Sequence, residues 1–437
     1  MHQSEIAETS NATTELHSDA LIYRCLDRYV LACLERALCA AQCGRLQVTM
    51  PSGLSTVIGA EGEQGIDADI VLNNYGMFRK SLRRGALGFA ESYMAGDFDT
   101  DQLGHVFEFY MDNEEALLSS FRRFFRSAWL DKTFHARRRN TRTGSRENIA
   151  AHYDLGNDFY RLWLDDSMSY SSGIYQSTSD TLEQSQDEKY RRILAALELS
   201  GNEDILEIGC GWGGFAEAAA KMGANVTGIT ISQEQYAAAI ERLSKAELNG
   251  SAEILFQDYR DTKGSFDRVA SIEMIEAVGE ENWETYFQVV SQRLRAGGVA
   301  VLQAITIRED LYEDYRSNPD FIQRYIFPGG MLPTVSIMQR HAERAGLQFE
   351  VHEQFGQSYA KTLADWRARF VDMWPRIEAL GFDDRFRRMW MYYLDYCEVG
   401  FSRGTIDVGL FRLRKPSDQP KKIISKNINQ YSLSKDE

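Results

Sequence analysis

The stretch "DILEIGCGWGGFAEAAA", residues 204–220, constrains this chain more than any other. Strand-forming residues run into Gly209, Gly211 and Gly214, and an alanine-rich helical stretch follows. Glycines at G-x-G-x-x-G spacing let a backbone turn from strand into helix and approach a ligand closely. Such a turn needs a parallel sheet around it, and the residues downstream supply one. "NVTGITI", "AEILFQD", "FDRVASIE" and "GGVAVLQAITI" read as strands, with helices at "GGFAEAAAKM", "SQEQYAAAIERLSKAE" and "WETYFQVVSQRL" among them. That rhythm predicts an α/β fold, a doubly wound Rossmann-like parallel sheet.

Glycines alone do not choose the ligand. A dinucleotide site wants an acid at the end of the second strand, about 20 residues on. Here Thr230, Ile231 and Ser232 occupy that corner, and Glu234 already lies in the next helix. S-adenosylmethionine makes a different demand. It carries a sulfonium and an amino-acid end, so it benefits from an acid beside the glycines, and Glu207 is two residues before Gly209. The third strand ends at Asp258, which can accept from an adenine amino group, and Tyr259 can flank the ring. The combination of Glu207, the glycines and Asp258 points to a methyltransferase.

The chain has 437 residues, 43% hydrophobic and 26% charged, which suits two or three ordinary globular domains. No run approaches the ~18 apolar residues that span a bilayer. Residues 1–19 are polar without an apolar core and read as a disordered leader, so a cytoplasmic protein is expected. Residues 20–121 read as a small α+β domain, with a helix at 20–44 and a hairpin around Pro51-Ser52-Gly53. Cys25, Cys33, Cys39 and Cys43 have neither C-x-x-C spacing nor a companion histidine, so they are expected in an apolar core and no metal is expected. Net charge is −15, but residues 122–146 hold nine Lys/Arg and one acid among Phe124, Phe125, Trp129 and Phe134. This basic aromatic linker could meet an anionic lipid surface or could be a solvated connector. Nucleic acid is not expected, because the acidic remainder would be repelled. Residues 147–414 form the predicted catalytic domain, and 415–437 a polar tail.

"AAHYDLGNDFYRLWLDDSMSYSSGIY", "LEIGCGWGGFA", "GITISQEQ", "EMIEAVGEENWETYF", "DFIQRYIFPGGMLP" and "MYYLDYCEVGF" occur in this order. Together they resemble the cyclopropane-fatty-acyl-phospholipid synthases, closely over residues 147–412, while "LGFAESYMAGDFD" resembles part of their smaller domain. The resemblance implies methylene transfer from S-adenosylmethionine to a cis double bond of a phospholipid acyl chain. It implies that Tyr170 and Ser171 cover the methionine end of the cofactor, that Gly209, Gly211 and Gly213 form its turn, and that Thr230, Ile231, Ser232 and Gln235 meet the ribose. Asp258 and Tyr259 would sit at the adenine. Catalytic roles fall on Cys397, Glu276, Tyr359 and Gln303. A bicarbonate ion would act as general base, held by Glu276, Tyr359, Gln303 and the backbone of Ser172 and Ile305, with Glu276 protonated or sharing a proton with the ion.

Partners implied are a phospholipid membrane, met peripherally from its inner face through the N-terminal domain and linker, and a second copy as a homodimer. The sequence departs from the family at Ala277 and Gln303, where histidines are usual, and at Ser172, where cysteine is. Glutamine cannot carry a proton as histidine does, so ring closure could give way to a methylated chain. A soluble acceptor, or a non-catalytic binding protein, are the readings from other classes.

Overall fold

The computed structural model describes residues 24–59, 65–121 and 155–417. The expected leader, the basic linker and nearly all of the tail lie outside these residues.

The first sheet comprises β1 (Arg45–Thr49), β2 (Ser55–Gly59), β3 (Asp67–Leu72) and the short β4 (Phe98–Asp99), in the order β2-β1-β3-β4. β1 and β2 form the expected hairpin, with Gln47 opposite Val57. Its turn closes where the Gly53 amide donates to the Met50 carbonyl at 2.8 Å, and Gly53 takes a φ of 81°. Alternation does the rest: Leu46 and Val48 turn inward while Arg45 and Gln47 face out. The inward residues pack with Ile70, Leu72, Phe98 and Phe109.

The cysteine expectation is corrected here. Cys25, Cys33 and Cys39 are exposed and Cys43 is half-buried. The helix over 24–38 turns Asp27 and Leu31 to the sheet instead. Asp27 accepts from the Tyr75 hydroxyl at 2.5 Å and the Ser52 amide at 3.1 Å. That buried polar anchor sets the rotation of the helix, which apolar spacing alone did not reveal. No metal-ligating cluster occurs among the described residues.

The second sheet has seven strands: β5 (Asp204–Ile208), β6 (Asn225–Thr230), β7 (Ser251–Phe256), β8 (Phe266–Ile272), β9 (Leu294–Ile307), β10 (Gln348–Gln354) and β11 (Ile406–Arg414). Their order is β10-β11-β9-β8-β5-β6-β7. β5 to β9 pair in parallel, and β11 is antiparallel to both β9 and β10. β5 is buried along nearly its whole length, as a central parallel strand covered on both faces must be. The chain runs outward from β5 through β6 to β7, then returns to the other side of β5 as β8. Ligands bind at such a reversal, beyond the carboxyl ends of the strands. The glycine turn after β5 and "EMIEAVG" after β8 therefore emerge side by side.

Helices complete the walls. Gly356–Asp372 and Asp384–Ser402 pack on each other and carry Tyr359 and Cys397. The N-terminal helices Ala86–Met94 and Leu103–Asp112 lie against Asp384–Ser402. There Phe107 meets Tyr392 edge-on at 5.0 Å, and Arg388 pairs with Asp99 at 2.6 Å. No helix of the described residues is long and apolar enough to cross a membrane.

Candidate active site

A cavity of about 570 Å³ opens at the strand reversal. Its floor is the glycine turn. The amides of Gly209 and Cys210 both donate to the Ile229 carbonyl at 3.0 Å, which folds the turn back against β6. Gly209 has a φ of 80°, and a Cβ there would lie 2.4 Å from Met274 Cγ, so only glycine fits. Gly209, Gly211 and Gly214 line the cavity. Gly213 does not: it caps the helix Gly214–Lys221, and a Cβ on it would stand 3.2 Å from Ala239. Gly213 thus belongs to the turn, as expected, with its left-handed φ of 84° and its amide donating to the Cys210 carbonyl at 2.9 Å, and Gly214 is the glycine that faces the cavity.

Glu207 lines the same floor at 2% exposure, and its Oε2 has no hydrogen-bond partner among the described residues. Burial pushes its pKa from 4.5 to about 8, against the opposing field of Lys189. A buried carboxylate with a free oxygen beside an open glycine turn suits a ligand bearing positive charge, so the residues fit S-adenosylmethionine. Thr230, Ile231 and Gln235 also line the cavity, whereas Ser232 does not. Ser232 caps the helix Gln233–Lys245, accepting from the Gln235 amide at 3.3 Å, while Thr230 donates to the Gln235 side chain at 2.9 Å. Ser232 therefore shapes the corner from behind. Asp258 and Tyr259 both line the cavity. Asp258 is held by Arg260 at 2.6 Å, and the Tyr259 ring packs on Tyr286.

Opposite the turn lies a pair of carboxylates. Glu276 sits on the one-turn helix Ile275–Val278, and its Oε1 accepts from the Ile305 amide at 2.5 Å. Burial, then the charge of Glu273, pushes its pKa from 4.5 to about 8. Glu273, which the sequence reading passed over, directly follows β8 and is the better-connected acid. It accepts from the Ser172 amide at 2.8 Å, from Gln303 Nε2 at 2.8 Å and from the Tyr359 hydroxyl at 2.7 Å. Glu273 and Tyr359 line the cavity; Ser172 and Gln303 lie behind the carboxylate.

This geometry corrects the expected ion site. Four of the groups assigned to a bicarbonate ion, on Ser172, Gln303, Tyr359 and Ile305, are bound to carboxylates of the chain itself. The residues present do not fit bicarbonate at that place.

Tyr170 lines the cavity, and its hydroxyl donates to that of Tyr393 at 3.0 Å. Ser171 also lines it, while its hydroxyl accepts from buried Lys189 at 2.8 Å. Cys397 forms part of the wall, and burial with the field of Asp320 pushes its thiol up, so it presents a neutral surface. The "FPGGMLP" segment closes another side. The Met331 amide donates to the Glu276 carbonyl at 2.8 Å, so this segment is tied to the carboxylate helix. Glu273, Lys189 and Asp320 were missed in the sequence. For Glu273 the one available signal was an acid closing the strand stretch "FDRVASIE", whereas Glu276 came from the resemblance alone.

The raised pKa of Glu276 has a measurable consequence. Between pH 4.5 and 8 the folded chain holds a proton there that the unfolded chain has lost, so stability falls as pH rises through that window. Glu276→Gln is expected to flatten this decline in ligand-free melting curves. An unaltered slope would show that Glu276 is ionised in the fold.

The family model of mycolic acid cyclopropane synthetase matches residues 140–411. A tuberculostearic acid methyltransferase of Mycobacterium tuberculosis is 37% identical over 348 residues, 76% of this chain and 79% of that protein. A cyclopropane-fatty-acyl-phospholipid synthase of Escherichia coli is 38% identical over 339 residues, 76% of this chain and 84% of its own. Among solved structures, a mycolic acid cyclopropane synthase complexed with SAH and CTAB is 31% identical with a TM-score of 0.57. That match covers 62% of this chain and 98% of the other.

Proposed function

Because the chain belongs to the mycolic acid cyclopropane synthetase family and is an S-adenosylmethionine-dependent methyltransferase, we propose that it alkylates a double bond in a phospholipid acyl chain, closing a cyclopropane ring. The observation that carries this reading is one cavity with two characters. The glycine turn and Glu207 form one side, and Phe107, Ile322, Phe327, Leu363, Val399 and Phe401 form apolar walls that suit an acyl chain. When bound, the cofactor supplies an electrophilic methyl group on a sulfonium. Glu207 balances its charge. The rings of Tyr170, Tyr359 and Phe327 exclude water and offer π-faces to the positive charge that develops on the chain.

A second reading is methyl addition without ring closure. What favours it is the fixed carboxylate of Glu273 where a mobile ion was expected, together with the similarity to a methyltransferase named for tuberculostearic acid. The basic segment 122–146 is proposed to hold the protein on anionic lipid, and a homodimer is proposed from the resemblance and is checked by sedimentation.

Incubation with S-adenosylmethionine and unsaturated phospholipid vesicles, followed by mass spectrometry of the released fatty acids, tests these readings. A gain of one CH2 that resists hydrogenation establishes the ring. The same gain with a reducible double bond establishes methylation alone. No gain despite cofactor binding moves the protein to another acceptor. Faster turnover on vesicles containing an anionic phospholipid, falling with salt, supports docking through the basic segment, and equal rates on zwitterionic vesicles remove it.

A further inference from the structure

We propose that the carboxylate of Glu273 is the built-in proton acceptor of this reaction, taking the place of an exogenous bicarbonate ion. The proposal deepens the one-carbon transfer reading and rests on it.

The donor set carries the argument. Ser172, Gln303 and Tyr359 come from distant parts of the chain, on a loop, a central strand and a helix, and all three converge on one carboxylate within 2.8 Å. Gln303 Nε2 also reaches the Ser172 carbonyl at 3.2 Å, so its amide group is oriented by two acceptors. Ser172 and Gln303 do not line the cavity, whereas Glu273 does. An ion entering from the cavity would meet Glu273 first and find those donors already engaged.

The backbone gives a second, independent sign. Glu273 has a φ of 49°, a left-handed conformation that costs a side chain with a Cβ about 1–2 kcal/mol and that glycine would adopt freely. The conformation is held by the Glu273 amide donating to the Gln303 carbonyl at 2.8 Å. Strain kept in place by surrounding bonds is characteristic of positions where the side chain is needed.

Ionised and neutral groups around it suit the role. Buried Lys189 contributes positive field, while Glu276 and Tyr359 face Glu273 from the one-turn helix and the Gly356–Asp372 helix. Three donors favour the charged form of Glu273, and burial raises its basicity. Its partner Glu276 is the acid that stays protonated. Three donors on Glu273 against one on Glu276 divide base from neutral acid.

The step balances without a further reactant. The electron pair of the acyl double bond forms a C–C bond to the sulfonium methyl, and the C–S pair leaves with the sulfur. Positive charge passes to the chain. Glu273 accepts a proton from the added methyl, and the freed C–H pair closes the second C–C bond of the ring; if no ring forms, the proton comes instead from a chain carbon bonded to the cationic centre, and that C–H pair becomes the new double bond. Glu273 ends as a neutral acid.

The test uses the full chain. Glu273→Gln keeps the shape and the acceptor that faces Ser172 and Gln303, turns an amide N–H toward the Tyr359 hydroxyl, cannot take the proton, and is expected to lower turnover about 10³-fold with cofactor binding unchanged. Wild-type turnover is expected to be the same in carbonate-free buffer as with added bicarbonate. Carbon-13 NMR with labelled bicarbonate is expected to show no bound ion in the wild type. Glu273→Gly is expected to bind the ion and to regain activity with it. Retention of turnover within a few-fold by Glu273→Gln, or a bicarbonate ion bound or required in the wild type, overturns the proposal. A wild type that alkylates no lipid defeats the proposed function, while the labelled-ion measurement still decides which group holds the donors.

Discussion

Glu207→Gln is expected to shift two measurements in opposite directions, raising the melting temperature of the ligand-free protein and weakening S-adenosylmethionine binding about 10- to 100-fold. The first effect follows from burial. In the ligand-free fold Glu207 has a pKa of about 8 rather than 4.5, so above pH 4.5 folding must draw a proton that the unfolded chain no longer holds. That cost is absent below pH 4.5, grows until about pH 8, and disappears in the glutamine variant. The second effect follows from charge. A charge-assisted hydrogen bond contributes about 1.5–3 kcal/mol, and 1.4 kcal/mol is tenfold in affinity. Cofactor binding to the wild type is therefore expected to tighten as pH rises toward 8, and binding to the variant to stay flat. Calorimetric titration at several pH values reads both. A variant that binds as tightly as the wild type would mean that the orphan oxygen of Glu207 faces something other than the cofactor.

The glycine turn was legible because its information is local. Residues 204–220 contain a strand, its turn and a helix within one short window, and each has its own periodicity. The carboxylate pair was only half legible for the opposite reason. Glu273 and Glu276 are three residues apart and chemically identical in sequence. What distinguishes them is a donor set drawn from residues 172, 303 and 359, which no local pattern exposes. Lys189 shows the same limit. On a helix it reads as a solvated charge, yet it is fully buried because Ser171 and the fields of Asp165, Glu273 and Glu207 receive it. The resemblance located the right neighbourhood, with Tyr359, Glu276 and the "FPGGMLP" wall around one cavity. It misplaced the roles of Ser232 and the ion ligands, because those depend on which way a side chain or an amide turns.

The largest effect on stability is expected from Trp163→Ala, at about 3–5 kcal/mol in denaturant unfolding. Trp163 is fully buried and its ring lies 5.7 Å from those of Phe159 and Trp366, 5.6 Å from Tyr170 and 6.1 Å from Trp390. Truncation would leave a void among rigid rings that cannot collapse into it. Its indole N–H has no hydrogen-bond partner among the described residues, so the ring acts there by packing alone. Trp163→Phe, which keeps most of that area and removes the orphan donor, is expected to recover most of the loss. The functional consequence runs through Tyr170. Its ring rests on Trp163 and Trp366, and two residues later the Ser172 amide donates to Glu273. Loosening the platform should let that amide drift, so the folded fraction of Trp163→Ala is expected to lose turnover more than cofactor affinity. Equal losses in both would place the platform's contribution in the cofactor turn. Stability within 1 kcal/mol of the wild type would show that the aromatic cluster can repack without it.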